Sequence, residues 1–132
     1  MPLHRGFYSV KPLTTINPLE LGSAAIHQYS YLSTESVLVQ EGVIFQDVAY
    51  YTFCSSKTYI IRIKEFTYKI RQLKDEYLYK TAGIIDKKTH RQATVERAVA
   101  DMLYFNPQFY FDAKDHVDWK RVEAIQKEAG YR

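Results

Sequence analysis

The sequence predicts an α+β fold: a single domain in which about four helices flank a small, mainly antiparallel sheet. Three observations lead there. The apolar period is helical towards both ends of the chain and changes to two in the middle. Between residues 43 and 85 β-branched and aromatic side chains crowd together, as strands require. Finally, 132 residues with 46% apolar and 25% charged side chains have the composition of a chain that builds its own core. No internal repeat, low-complexity tract or linker divides residues 1–132, so one domain is expected throughout.

The elements follow in order. Asn17-Pro18-Leu19-Glu20 joins a capping side chain, a proline at the first helical position and an acid at the third, which predicts a helix over about 18–28. Ser33 is the candidate cap of a second helix carrying Glu35, Val37 and Leu38, and Gly42 ends it, after which Val43-Ile44-Phe45 turns into an extended run. Strands are expected at Val48–Phe53, Tyr59–Ile63 and Phe66–Arg71. A further strand is expected over Leu78–Ile85, followed by the polar turn Asp86–His90 leading to Arg91-Gln92. In the helix from Thr94, the residues Val95, Ala98, Val99, Met102 and Leu103 follow the i, i+3, i+4, i+7, i+8 rule. Thr94 caps that helix, Arg97 can pair with Asp101 one turn on, and Asn106-Pro107 stops it. Phe109, Tyr110 and Phe111 are expected to tuck towards the core. A last helix begins near Asp115 or Asp118, turns Trp119, Val122 and Ile125 inward and ends at Gly130.

Charge is uneven. The net charge is +3, yet residues 57–91 hold ten Lys/Arg against four Asp/Glu, while the remainder holds eight against eleven. A block of this sign suits a face that meets phosphate or an acidic partner, although cations on the outer face of a sheet also serve to keep edges soluble. In the strand Phe66–Arg71, Lys69 and Arg71 share the face opposite Phe66, Tyr68 and Ile70. With Arg62 and Lys64 of the preceding strand pointing the same way, four cations would lie on one surface. The candidate nucleic-acid contacts are therefore Arg62, Lys64, Lys69 and Arg71, together with Lys87, Lys88 and Arg91 at the basic turn.

Other chemistries lack their residues. Cys54 is the single cysteine, which removes intramolecular disulfides, paired-cysteine redox chemistry and multi-cysteine zinc sites; it reads as a buried, inert thiol. His4, His27, His90 and His116 have no metal-ligand spacing, so neither a metal nor a cofactor is expected. Ser33, Ser36, Ser55 and Ser56 lack a nucleophile elbow, and five glycines form neither a dinucleotide fingerprint nor a P-loop. Asp112, Asp115 and Asp118 recur every third residue near a helix start, where capping explains them more simply than a divalent ion. Twelve tyrosines come without an RNA-recognition signature and read as core. No signal-peptide or membrane-spanning pattern occurs, which makes the cytoplasm the expected compartment and a membrane partner unexpected.

Two stretches taken together resemble the antitoxin domain of the AbiEi family, the antitoxin and transcriptional-regulator half of type IV toxin-antitoxin systems. The first is Tyr31-Leu32-Ser33-Thr34-Glu35-Ser36-Val37-Leu38 with Gly42-Val43-Ile44. The second is Gln92-Ala93-Thr94-Val95-Glu96-Arg97-Ala98-Val99-Ala100-Asp101-Met102-Leu103-Tyr104. The strand block lies between them as in the family, and Val117-Asp118-Trp119 is similar to the start of the family's closing helix, so that the resemblance spans residues 5–130. Arg5-Gly6-Phe7-Tyr8 resembles the end of the wing of the winged helix-turn-helix that usually precedes this domain, and residues 1–10 are expected to be that remnant. Residues 1–132 are thus expected to lack the recognition helix, and the resemblance does not imply sequence-specific operator binding. The resemblance implies a non-enzymatic domain counteracting a nucleotidyltransferase-like toxin, without need of a stable complex. The alternative is an interaction or regulatory module that docks a separate DNA-binding chain through an aromatic surface. An enzyme acting on nucleic acid lacks any acidic or histidine constellation.

Overall fold

The computed structural model describes residues 17–131; the wing-like Arg5–Tyr8 stretch lies outside them. The chain runs α1 (Pro18–Ala25), β1 (Tyr31–Leu32), α2 (Glu35–Gln40), β2 (Tyr51–Ser55), β3 (Tyr59–Ile63), β4 (Phe66–Gln72), α3 (Asp75–Leu78), β5 (Ile84–Asp86), β6 (Arg91–Ala93), α4 (Val95–Phe105) and α5 (Trp119–Ala129). A 3-10 turn, Lys114–His116, precedes α5. The six strands form one mixed sheet in the order β3-β4-β2-β1-β6-β5. β2/β4 and β1/β6 pair in parallel and the remaining neighbours antiparallel, which makes the domain α+β as predicted.

Local chemistry explains most element ends. The Asn17 carboxamide accepts from the Leu19 and Glu20 N–H groups at 2.9 and 3.4 Å, Thr94 Oγ1 accepts from Arg97 N–H, and Asp118 accepts from Arg121 N–H. Each satisfies a donor that the first helical turn leaves free. Gly42, at φ +74°, supplies the left-handed residue after α2.

Several expectations are corrected. Ser33 is no cap: its hydroxyl donates to Asp101 at 2.7 Å, and Thr34 occupies the cap position without a side-chain cap bond. α1 stops at Ala25. The Leu78–Ile85 strand is instead α3, a turn and the three-residue β5, because the stretch holds Lys80-Thr81 and Gly83 between its apolar members. Val43 and Ile44 are buried without joining the sheet; their N–H groups bond to the Leu38 carbonyl, and Ala113 donates to Val43 O. The strand expected from Val48 begins at Tyr51. Of the 109–111 run, Phe111 is buried while Tyr110 stands out, and Trp119 is partly exposed rather than inward. Cys54 is fully buried, and burial followed by the nearby Asp101 charge pushes its thiol well above the usual range.

Register sets the two faces of the sheet. Tyr68 and Ile70 of β4 and Phe53 of β2 face α1, where Tyr68 OH donates to Pro18 O at 2.6 Å and its ring lies against Gly22. The opposite face carries Tyr31 and Cys54, directly paired, beneath α4. α4 itself is covered on its outer side by α5 and by the chain around Tyr77–Ala82. Residues 97–102 are therefore all buried, not just one stripe of the helix.

Candidate nucleic-acid interface

The β3/β4 hairpin places Ile60 opposite Lys69 and Arg62 opposite Thr67, so Arg62, Lys69 and Arg71 share one face of the sheet. Lys64 is not on the strand; it sits in the turn with φ +55°, exposed beside Glu65. Lys69 is half-buried, its Nζ 3.9 Å from the centroid of the Tyr50 ring. Arg71 is committed elsewhere. Its guanidinium donates to Glu35 Oε2 at 2.7 Å and lies over the Phe105 ring, tying β4 to the start of α2 and the end of α4. The hairpin therefore offers Arg62, Lys64 and Lys69, with the exposed Ile60 between them.

Lys87, Lys88 and Arg91 lie on the β5/β6 hairpin, whose turn is closed by reciprocal bonds between Lys87 and His90. Lys87 and Lys88 are exposed, and Arg91 extends over the Tyr29 ring at 4.5 Å, next to the exposed Tyr79. β4 and β6 are three strand spacings apart, about 14 Å. A row across the sheet runs Arg71, Cys54, Tyr31, Arg91, and its two middle members are sealed beneath α4. The seven cations thus form two groups that flank α4, not one continuous surface.

Between the groups lies an ionic cluster that the sequence showed only as a pair one helical turn apart. Arg97 and Asp101 are both fully buried. All five guanidinium N–H donors of Arg97 are used: Nε on Asp101, the other two nitrogens on the carbonyls of Tyr77, Lys80 and Ala82 and on Tyr31 OH. Asp101 accepts in addition from Tyr31 OH, Ser33 Oγ and Tyr131 OH. Burial first, then the Asp101 carboxylate, holds the Tyr131 hydroxyl far above its ordinary range; burial does the same for Tyr31. With every Arg97 donor satisfied and its members buried, this cluster orders the core and cannot receive a ligand.

The apolar cleft beside α1 is chemically quiet. A cleft of about 330 Å³ between α1, α2 and the start of β2 is lined by Leu19, Leu32, Val39, Val48 and Tyr51, with Ser36 its only hydroxyl besides tyrosine. Ser36 Oγ is occupied by Thr52 N–H at 2.8 Å. Among the described residues no three His, Cys, Asp or Glu side chains are placed to hold a metal ion, and no helix is long and apolar enough to cross a membrane. Asp112 accepts from Phe45 N–H and Asp118 caps α5, which accounts for two of the three aspartates in that run.

The chain matches no protein-family model, no curated protein and no solved structure. Sequence reasoning missed the Glu35–Arg71 pair and the Tyr50–Lys69 contact, because partners 36 and 19 residues apart leave no local pattern.

Proposed function

We propose that this is a non-enzymatic antitoxin domain of the AbiEi type, acting in the cytoplasm against a nucleotidyltransferase-like toxin and touching nucleic-acid phosphate through Arg62, Lys64 and Lys69. One observation carries the reading. The two stretches on which the resemblance rests meet in the core: Tyr31 and Ser33 of the first donate to Asp101 of the second, and Arg97 of the second donates to Tyr31. Two distant motifs that close into one hydrogen-bonded unit support a shared fold rather than two coincidental helix patterns. The polar side chains that join the two stretches are consumed in holding the core together.

The test is co-expression of residues 1–132 with a nucleotidyltransferase-like toxin, scored by growth. Rescue is expected, and it should weaken when Arg62→Glu and Lys69→Glu are combined in a protein that still folds. Absence of rescue by folded wild-type protein would overturn the proposal.

A further inference from the structure

Three aromatic rings stand in solvent at one corner of the molecule: Phe45 is 72% exposed, Tyr110 67% and Trp119 38%. Two segments laid side by side build that corner. Ala113 N–H donates to Val43 O at 3.0 Å, and Phe45 N–H donates to the Asp112 carboxylate at 2.8 Å. The Trp119 indole N–H is anchored on the Lys114 carbonyl at 2.9 Å, and its ring meets Phe111 edge-on with centroids 5.9 Å apart. An apolar ring fixed by its polar handle yet left in water is a pre-organised contact, the kind that dominates protein interfaces.

The charge around the rings identifies the partner. Residues 41–47 and 106–121 carry Glu41, Asp47, Asp112, Asp115 and Asp118 against Lys114, Lys120 and Arg121, on a chain whose net charge is +3, and Arg121 is turned to Glu128. One of these cations already lies on a ring: Lys114 Nζ is 5.5 Å from the centroid of Tyr110. Aromatic faces bordered by carboxylates favour cations and repel nucleic acid.

We infer that this corner is a docking surface for an arginine- and lysine-rich segment of another protein. Cationic heads lie on the faces of Tyr110 and Trp119, with Asp115 and Asp47 as counter-charges, while their aliphatic stems cover Phe45. The surface uses none of the seven cations considered for phosphate contact and stands whether or not the antitoxin proposal does.

Trp119 is the only tryptophan in the chain, so its fluorescence reports on this corner alone. The experiment titrates the full chain with an oligoarginine peptide at physiological salt. A saturable change in Trp119 emission is expected, weakened about tenfold by Phe45→Ser combined with Tyr110→Ala and left unchanged by Arg62→Gln with Lys69→Gln. Lys114→Ala, which frees the Tyr110 face and removes the competing charge, should tighten binding severalfold. Three results would each overturn the inference: no saturable change, an equal response to an oligoglutamate peptide, or unaltered affinity in the Phe45/Tyr110 variant with wild-type circular dichroism. Should that variant fail to fold, weaker binding by Lys114→Ala would overturn it as well.

Discussion

Arg97 and Asp101 sit one helical turn apart with Nε and Oδ1 3.1 Å from each other, and neither exposes any surface. An i, i+4 pair of this kind is ordinarily a solvated feature contributing a few tenths of a kcal/mol. Here it is the hub that joins β1, α4, the chain after α3 and the C-terminal Tyr131. Removing one partner leaves an uncompensated buried charge, whose cost exceeds anything the pair contributes as a surface contact.

Asp101→Ala should therefore lower unfolding stability by about 3–5 kcal/mol, read from urea denaturation. Arg97→Lys should also destabilise, by about 2 kcal/mol or more, since three ammonium donors cannot replace five arranged in a plane. A loss below about 1 kcal/mol in both variants would show that the cluster does not hold the core.

The two glycines of the first helices should respond for different reasons. A Cβ on Gly22 would overlap the Tyr68 ring at Cε1, and Tyr68 cannot swing away without giving up its bond to Pro18 O. Gly22→Ala should cost about 1–3 kcal/mol even though alanine is the better helix former. At Gly42 nothing lies within 4 Å of the added carbon, so Gly42→Ala should cost only the left-handed backbone penalty, about 1–2 kcal/mol. Thermal melts of the two variants, with Gly42→Asn as the tolerated control, separate crowding from conformation.

Binding of single-stranded nucleic acid should reflect the free cations rather than all that the sequence offers. With Arg71 paired to Glu35, three cations remain on the β3/β4 hairpin, and log affinity should fall against log salt with a slope of about −2. Lys69→Gln should reduce that slope, while Arg71→Gln should leave it unchanged and act on stability instead. Equal effects of the two substitutions on the slope would contradict the division of roles.

Alkali should unfold the protein. Burial, then the neighbouring Tyr51, pushes Tyr68 from 10.0 to about 12, so the folded state keeps a proton that the unfolded state loses. The resulting stability is complete below pH 10 and is lost as pH rises towards 12. Over that interval one such group steepens the fall by about 1.4 kcal/mol per pH unit. Tyr31 and Tyr131, also raised, add to it. Tyr68→Phe should start less stable, for want of the bond to Pro18 O, and should lose stability more gently above pH 10. Denaturation midpoints measured across pH 9–12 check both parts.

Local periodicity and capping are enough to specify several of the elements. The β3/β4 hairpin, the helix behind Thr94, the helix behind Asp118 and the Asn17 cap all formed where a short window of residues said they would. A helix period, a strand alternation and a cap each involve neighbours within a turn or two, and such patterns can be read along the chain. Tertiary structure alone decided the rest. The two-residue β1 has too few residues to show a period, yet it joins β2 to β6 and so unites the sheet. Arg97 reads only as a partner of Asp101 one turn on until α5 and the chain after α3 cover the far side of α4, and Ser33 reads as a cap until Asp101 arrives from 68 residues away. The cations divided for the same reason: which of them stay free depends on where Glu35, Tyr50 and α4 come to lie. Packing, through long-range burial, settles that, because a buried charge or hydroxyl must find its partner wherever the fold supplies one.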